Sequence, residues 1–286
     1  MTIAIGTYFA DGVILCADTK LVDDNGGVSY GGKICGMEGQ ATFAIAHAAN
    51  DANAVAMLAG KMLNALESVT RQNQIESAIK EQMTSWQSDF AQTSVPLLQF
   101  LVACVVQRQQ SLYFCQPPNI VTQKYRLEPA TIGATTVESL VPFVLMHPRD
   151  EDDPDSLEMT AESTLLKIAY LMRRAKKENL YVGGDTDAVV LYRDGRLAET
   201  KRPEMKQAEE FSEKLDFYFK YACYGLFSQQ SEEEQKAFMD RFTSLYLRDA
   251  KAASRLWFPS LEDLGTWRLS NQILLNQGSL NYWLRQ

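Results

Sequence analysis

Two apolar, β-prone segments at residues 3–9 and 13–17 flank the tight-turn sequence Ala10-Asp11-Gly12. This arrangement predicts an antiparallel hairpin, because Asp-Gly turns reverse a strand within a few residues. Residues 42–46 form another short apolar strand. β character returns over 97–106, over 112–115 and in a run that ends at residue 132. The chain is therefore expected to build its core around β-sheets.

Helical periodicity lies between and after these strands. Residues 48–68, 74–90 and 161–177 each carry one apolar face, and a last hairpin is expected around the turn at 193–195. The order of strands, two helices, strands, helix and hairpin suits a layered αββα sandwich, an α+β fold. Apolar positions at helical spacing are interpreted as core residues, namely Val55, Leu58, Met62, Leu66, Ile75, Ile79, Met83, Trp86 and Phe90.

The composition changes beyond about residue 200. Helical spacing continues there, and the last thirty positions include Trp257, Trp267, Tyr282 and Trp283. We expect one domain over residues 2–200 and a helical, aromatic-rich C-terminal extension over 201–286.

Charge and hydropathy exclude several functional classes. The 286 residues are 46% hydrophobic and carry a formal net charge of −8. An acidic surface argues against nucleic-acid and anionic-membrane partners, which favour clustered Lys and Arg. No apolar run approaches the ~18 residues of a membrane span, and Asp11 interrupts the apolar stretch that a signal peptide would need. We expect a cytoplasmic protein.

Cysteine and histidine are too few and too scattered for most metal or redox sites. The five cysteines show no CxxC spacing, so buried reduced thiols are expected rather than disulfides or metal ligands. His47 and His147 are the two histidines, which makes a zinc site or a Ser-His-Asp triad unexpected. The sequence predicts neither a metal nor a cofactor.

The N-terminal motifs resemble those of proteasome β-type subunits and their bacterial proteasome-like relatives, which are N-terminal-nucleophile (Ntn) hydrolases. TIAIG at residues 2–6 and DGVILCADT at 11–19 match the family's opening threonine, strand, glycine and D-G-V-x-L-x-A-D-T motif at the same spacing. Lys33 lies one residue short of the family's usual distance between Asp18 and its catalytic lysine.

Later segments match the same family in the same order. AHAAND at 46–51 resembles its A-G-x-A-A-D turn, ATIG at 130–133 the strand before its S-G-S turn, and LYVGG at 180–184 its A-Y-S-G-G segment. The resemblance spans residues 2–198 and implies a four-layer αββα sandwich, a ring or stack of identical subunits and an ATP-dependent unfoldase as partner.

The implied chemistry uses the threonine as its own base. Once Met1 is removed, the α-amine of Thr2, with an ordinary pKa near ~8, can take the proton of its hydroxyl. Lys33 would lower the pKa of that amine and keep it neutral, and Asp18 would pair with Lys33. The backbone N–H of His47 is expected to stabilise the oxyanion. The His47 side chain either crowds and polarises the site or is simply a partly buried, hydrogen-bonded histidine.

Three supporting positions depart from the family. Ala134 replaces a serine, although Thr135 and Thr136 are adjacent and offer hydroxyls. Asn179 replaces a supporting aspartate, and Val182 replaces the serine of the A-Y-S-G-G segment. These changes leave three hypotheses: a threonine-type endopeptidase that cleaves unfolded polypeptides in a self-compartmentalising assembly, a catalytically silent structural subunit, or a small-amide hydrolase whose tail forms a lid.

The peptidase hypothesis predicts a free N-terminal threonine. We expect methionine aminopeptidase to remove Met1, because Thr2 has a small side chain. The intact mass of protein purified from its native cells should lack the mass of one methionine. Retention of Met1 would contradict the peptidase hypothesis, since Thr2 would then have no α-amine.

Overall fold

The computed structural model describes residues 2–22, 26–49, 52–89, 98–117, 119–125, 128–133, 137–145 and 160–228, together with 231, 233–234, 236–238, 240–242 and 244. It shows a mixed α/β protein with antiparallel sheets and helices. The described strands are β1 (Ile3–Phe9), β2 (Gly12–Asp18), β3 (Lys20–Val22), β4 (Val28–Tyr30), β5 (Ile34–Met37), β6 (Ala41–Ala49), β7 (Leu98–Val106), β8 (Gln109–Gln116), β9 (Ile120–Lys124), β10 (Ala130–Gly133), β11 (Thr186–Tyr192) and β12 (Leu197–Glu199).

The described helices fall between these strands and after them. A single 3₁₀ turn at Gln72–Gln74 leads directly into the second helix. The helices are α1 (Ala52–Glu67), α2 (Ile75–Asp89), α3 (Leu140–Leu145), α4 (Ala161–Glu178) and α5 (Arg202–Ser228). Among the described helices, none is long and apolar enough to cross a membrane.

The strands form two larger sheets and one small hairpin. The first sheet has the order β10-β1-β2-β11-β12, and the second runs β5-β6-β7-β8-β9. The pair β3-β4 stands apart from both. In the first sheet Thr186 of β11 lies opposite Asp18, and Gly133 of β10 lies opposite Ile3. These registers bring the end of β2, the beginning of β1 and the beginning of β11 to one end of the sheet.

Three groups of buried apolar residues hold the layers together. One lies between the first sheet and helices α3, α4 and α5, and includes Ile14 and Ile168. A second lies between the two sheets and includes Leu15 and Leu101. The third lies between the second sheet and helices α1 and α2, where Trp86 is fully buried. Alternate residues of β2 therefore belong to different cores, because side chains on a strand point to opposite faces.

The structure confirms the predicted N-terminal hairpin, the hairpin around 193–195 and the helices within 48–68, 74–90 and 161–177. The largest difference is at the start of the first helix. β6 continues to Ala49 and α1 begins at Ala52, whereas the sequence predicts a helix from residue 48. Pairing with β7 accounts for the difference, because Ala49 lies opposite Leu98 and stays in the ladder. The core positions predicted from 55 to 86 are buried, and Phe90 lies outside the described residues.

Helix α5 packs onto the preceding elements. Met205 and Ala208 belong to the same buried group as helix α4 and the first sheet. The first turns of the predicted C-terminal extension thus share a core with the preceding residues. The aromatic residues Trp257, Trp267, Tyr282 and Trp283 lie outside the described part of the chain.

Candidate active site

Asp18 is the central residue of the candidate site. It ends β2 and is fully buried. Its Oδ1 accepts hydrogen bonds from the Ile3 backbone N–H at 3.0 Å and from Lys33 Nζ at 2.9 Å. Its Oδ2 accepts the backbone N–H of Gly183 at 3.1 Å. Burying a carboxylate is unfavourable unless hydrogen-bond donors replace the water that it loses. The three donors to Asp18 come from three separate segments of the chain.

Lys33 immediately precedes β5 and is also buried. Its Nζ donates to Asp18 Oδ1 at 2.9 Å and to the backbone carbonyl of Lys20 at 2.6 Å. Burial lowers the pKa of Lys33 from its ordinary value, and the carboxylate of Asp18 opposes that change. The ion pair predicted between Asp18 and Lys33 is therefore present.

Thr2 is buried beside this pair. The residue that follows it, Ile3, binds the same Asp18 oxygen that accepts Lys33 Nζ, and both nitrogen atoms lie within 3.0 Å of it. On the other side, Gly133 has a φ of +83°, and a β-carbon there would lie 1.8 Å from the Thr2 carbonyl oxygen. Any other residue at 133 would therefore displace Thr2 as well as strain its own backbone.

A glutamine in the second sheet fixes this glycine. The backbone N–H of Gly133 donates to Gln99 Oε1 at 2.9 Å, and Gln99 Nε2 donates to Gln116 Oε1 at 3.3 Å. Sequence reasoning did not single out either glutamine, because a polar residue on a strand gives no signal of its partner.

The predicted oxyanion donor is engaged elsewhere. The backbone N–H of His47 donates to the carbonyl oxygen of Lys33 at 3.1 Å, so it is used by the connection between β5 and β6. The structure does not present it as a free donor, which corrects the expectation from the sequence. Strand β6 extends past residue 47, and this N–H continues its pairing one residue beyond Ile34 and Ala46, the first registered pair of β5 with β6.

The His47 side chain is half-buried and neutral at pH 7. Burial lowers its pKa to about 4, and the nearby charge of Lys33 acts in the same direction. This favours the interpretation of His47 as a packed, uncharged histidine.

The other predicted support residues are not shown to join the site. Asn179 ends helix α4, and its Oδ1 accepts the backbone N–H of Tyr181 at 2.9 Å, so it shapes the local turn. Val182 is buried in the core between the first sheet and the helices. Thr135 and Thr136, with Ala134, lie outside the described residues.

Two backbone groups contribute that the sequence does not reveal. The N–H of Gly183 binds Asp18, and the carbonyl of Lys20 binds Lys33. The L-Y-V-G-G segment was the available signal for the first of these, although side-chain identity does not encode a backbone donor. Within the described ranges, no group of three or more His, Cys, Asp and Glu residues is placed to hold a metal ion.

Comparison with solved structures shows that this chain shares its fold with known proteins. No protein-family model and no curated protein matches the chain. Among solved structures, an Anbu Gly-1 mutant from Hyphomicrobium sp. strain MC1 matches with a TM-score of 0.62 at 14% identity, covering 77% of this chain and 97% of that one. Anbu from Yersinia bercovieri, described as an ancestral beta-subunit, matches with a TM-score of 0.61 at 14% identity, covering 76% and 96%.

A third match is the helical assembly of the Anbu complex from Pseudomonas aeruginosa. Its TM-score is 0.54 at 15% identity, with 76% of this chain and 95% of that chain covered. Identities this low show the fold alone.

These matches correct the family expected from the sequence. The structural neighbours are Anbu proteins, which are proteasome-like but distinct from proteasome β-subunits. The expectation of a proteasome β-type subunit is therefore wrong.

His47 should make stability depend on pH. Its folded-state pKa of about 4 lies below the ordinary 6.5. As the pH falls below 6.5, His47 becomes protonated in the unfolded chain, whereas in the native state it becomes protonated only near pH 4. The free energy of unfolding of the wild type should therefore decrease relative to that of His47→Asn as the pH falls through this window. Chemical denaturation of both proteins at several pH values measures the difference, and a difference that does not change with pH would contradict the assignment.

Proposed function

We propose that this chain is a threonine-type peptidase subunit of a proteasome-like, Anbu-type assembly, with Thr2 as its nucleophile after Met1 is removed. One observation carries the proposal: a single oxygen of buried Asp18 binds both Lys33 and the backbone N–H that follows Thr2. This geometry ties the start of β1 to a buried cation, as a self-activated N-terminal threonine requires.

The proposed reaction begins with proton transfer within Thr2. The α-amine takes the proton of Oγ1, and Oγ1 attacks the carbonyl carbon of the scissile peptide bond. The tetrahedral intermediate collapses to an ester on Oγ1, and the leaving amine carries the proton away. Water then attacks the ester and releases the second product, so the threonine is regenerated with its proton.

Lys33 and Asp18 tune this proton transfer. A lysine cation beside the α-amine lowers the pKa of that amine, so that more of it is neutral and able to act as a base. Asp18 opposes the loss of charge that burial imposes on Lys33. Because the carboxylate also holds the Ile3 N–H, it orients base and nucleophile together.

We also infer the overall arrangement and its setting. The three buried groups described above fit a four-layer αββα sandwich of the Ntn-hydrolase type, with a domain over 2–200 and an extension over 201–286. Unfolded polypeptide or peptide is the proposed substrate, and an ATP-dependent unfoldase is the proposed partner. Asp18 and Lys33 need no metal or organic cofactor for this chemistry.

A catalytically silent structural subunit is the second candidate. The engaged N–H of His47 favours it, since the proposed oxyanion donor would first have to leave the Lys33 carbonyl. Val182 at the position of a family serine favours it as well. The two candidates share the fold and differ in whether Thr2 reacts.

Reaction at Thr2 can be tested directly. Thr2→Ala should abolish peptide hydrolysis and labelling by a threonine-directed β-lactone, because it removes the attacking hydroxyl and little else. Lys33→Ala should slow both by at least ~10²-fold, the scale for losing one tuned acid–base partner. Intact mass after incubation with the lactone, together with peptide turnover, measures these effects.

Two controls separate chemistry from misfolding. Thr2→Ser keeps a hydroxyl on an N-terminal residue and should still be labelled. Lys80→Ala removes an exposed lysine whose partner on α2 is Glu76, and it should leave turnover unchanged. Undiminished labelling of Thr2→Ala would exclude Thr2 as the nucleophile, and an unlabelled wild type would favour the silent subunit.

Self-assembly should accompany this function. The Anbu complex of Pseudomonas aeruginosa forms a helical assembly, and we propose a homo-oligomeric ring or stack for this chain. Sedimentation at micromolar concentration should show species far above the 32.2 kDa of one chain. A clean monomer throughout that range would rule out the compartmentalised peptidase and favour a small-amide hydrolase on the same fold.

A further inference from the structure

A second buried carboxylate lies next to the Asp18–Lys33 pair and has no part in the mechanism above. Asp187 is the second residue of β11 and is 6% exposed. Its neighbour Thr186 lies opposite Asp18 in the first sheet, and Asp187 itself lies opposite Ala17. The strand register therefore places Asp187 one residue away from the centre of the site.

Helix α5 holds this carboxylate with a two-pronged contact. Arg202, the first residue of α5, donates from Nε to Asp187 Oδ1 at 2.7 Å and from Nη2 to Oδ2 at 3.2 Å. A guanidinium that binds both carboxylate oxygens restricts the rotation of the carboxyl group, which a single hydrogen bond does not. Half of the Arg202 side chain remains exposed.

The carboxylate also lies near the segment that carries Lys33. A β-carbon at Gly32 would stand 3.7 Å from Asp187 Oδ2, so this oxygen lies close to the backbone of the residue immediately before the lysine. The negative charge of Asp187 raises the pKa of Lys33, as Asp18 does, against the lowering effect of burial.

We propose that Asp187 is a positioning residue for Lys33, held in place by Arg202, and that the start of α5 is thereby part of the site. This inference deepens the proposed function and rests on it for its catalytic consequence. Asp187 supports the lysine from a second direction, through its charge and through its position beside Gly32.

The need for such support follows from the bonding of Lys33. Its ammonium has three N–H groups, and the described residues provide two acceptors, Asp18 Oδ1 and the Lys20 carbonyl. Taking an ammonium out of water is costly even when one partner is present. A second nearby carboxylate lowers that cost without occupying the third N–H, which remains available towards substrate or Thr2.

Arg202 acts on the lysine through Asp187. It orients this carboxylate, which favours the charged form of Lys33, whereas its own charge is half-exposed and screened by water. His47 is neutral above pH about 4, so it leaves the charge balance unchanged at working pH. Among the described residues, the charged and titratable groups around Lys33 are Asp18 on β2, Lys20 on β3, His47 on β6 and Asp187 on β11, with Arg202 of α5 bound to Asp187.

The proposal predicts a shift in the same direction in two variants. Asp187→Asn keeps the shape of the side chain and removes its charge, so Lys33 should lose its proton at lower pH. Arg202→Gln leaves at most one hydrogen bond to Asp187, so the carboxylate is no longer held beside Gly32 and Lys33 should also lose its proton at lower pH, by a smaller amount. The ¹³Cε signal of Lys33 in full-length, ¹³C-lysine-labelled protein, assigned with Lys33→Arg, reports this midpoint directly.

A matched ion pair serves as the control. Arg173 of α4 binds Glu213 of α5. Glu213 lies eleven positions after Arg202 on the same helix, which places it about 16 Å from Arg202 along the helix axis. Glu213→Gln should leave the Lys33 midpoint unchanged. Asp187→Glu keeps the carboxylate charge, so its Lys33 midpoint should lie close to that of the wild type. A tie that is only structural would leave the Lys33 midpoint unchanged in both Asp187→Asn and Arg202→Gln.

The outcomes separate this inference from the proposed function. An Asp187→Asn midpoint that is unchanged or higher overturns the inference, whatever the activity. If Asp187→Asn does not fold, Arg202→Gln still decides, because an unchanged or higher Lys33 midpoint in that variant contradicts the role given to Arg202. In the lactone reaction, Asp187→Asn should be about 10-fold slower than the wild type at alkaline pH. As the pH is raised, its rate should begin to fall at a lower pH than that of the wild type, because Lys33 loses its proton earlier. A wild type with no Thr2-dependent labelling would overturn the proposed function and leave the midpoint test of Lys33 to stand by itself.

Discussion

The buried contact between Asp18 and Lys33 joins parts of the chain that are distant in sequence. Both side chains are fully shielded from water, so each depends on the other for its charge. Removing one partner of such a pair typically costs about 3–5 kcal/mol, because the remaining charge stays buried without compensation. The fold must therefore keep β1, β2, β5 and the segment before β11 in register around this pair.

Backbone groups complete the arrangement. Asp18 takes its other two hydrogen bonds from the N–H groups of Ile3 and Gly183, and Lys33 takes a second acceptor from Lys20. These contacts fix the site through main-chain geometry, which changes little when side chains vary. That explains how Val182 and Asn179 can differ from the expected serine and aspartate while the central pair persists. The same logic fits a fold shared with Anbu proteins at 14% identity.

Helix α5 is connected to this centre as well as to the core. Met205 and Ala208 pack under the first sheet, and Arg202 binds Asp187. Lys176 of α4 also binds buried Glu209 of α5 at 2.7 Å. A change in the position of α5 would therefore alter β11 through the contact between Arg202 and Asp187. The described part of α5 is thus joined to the first sheet both by packing and by an ion pair.

The sequence by itself determined the hairpin at the N-terminus and the helical faces, because local periodicity is displayed directly by one chain. The pairing of Asp18 with Lys33 was expected from the resemblance of the N-terminal motifs to those of a known family. Tertiary structure alone decided that β6 runs through His47 and engages its N–H, that Gly133 encloses Thr2, and that Asp187 and Arg202 join the site. The physical reason is that such contacts depend on strand register and on backbone groups, and neither is encoded in the identity of any single residue.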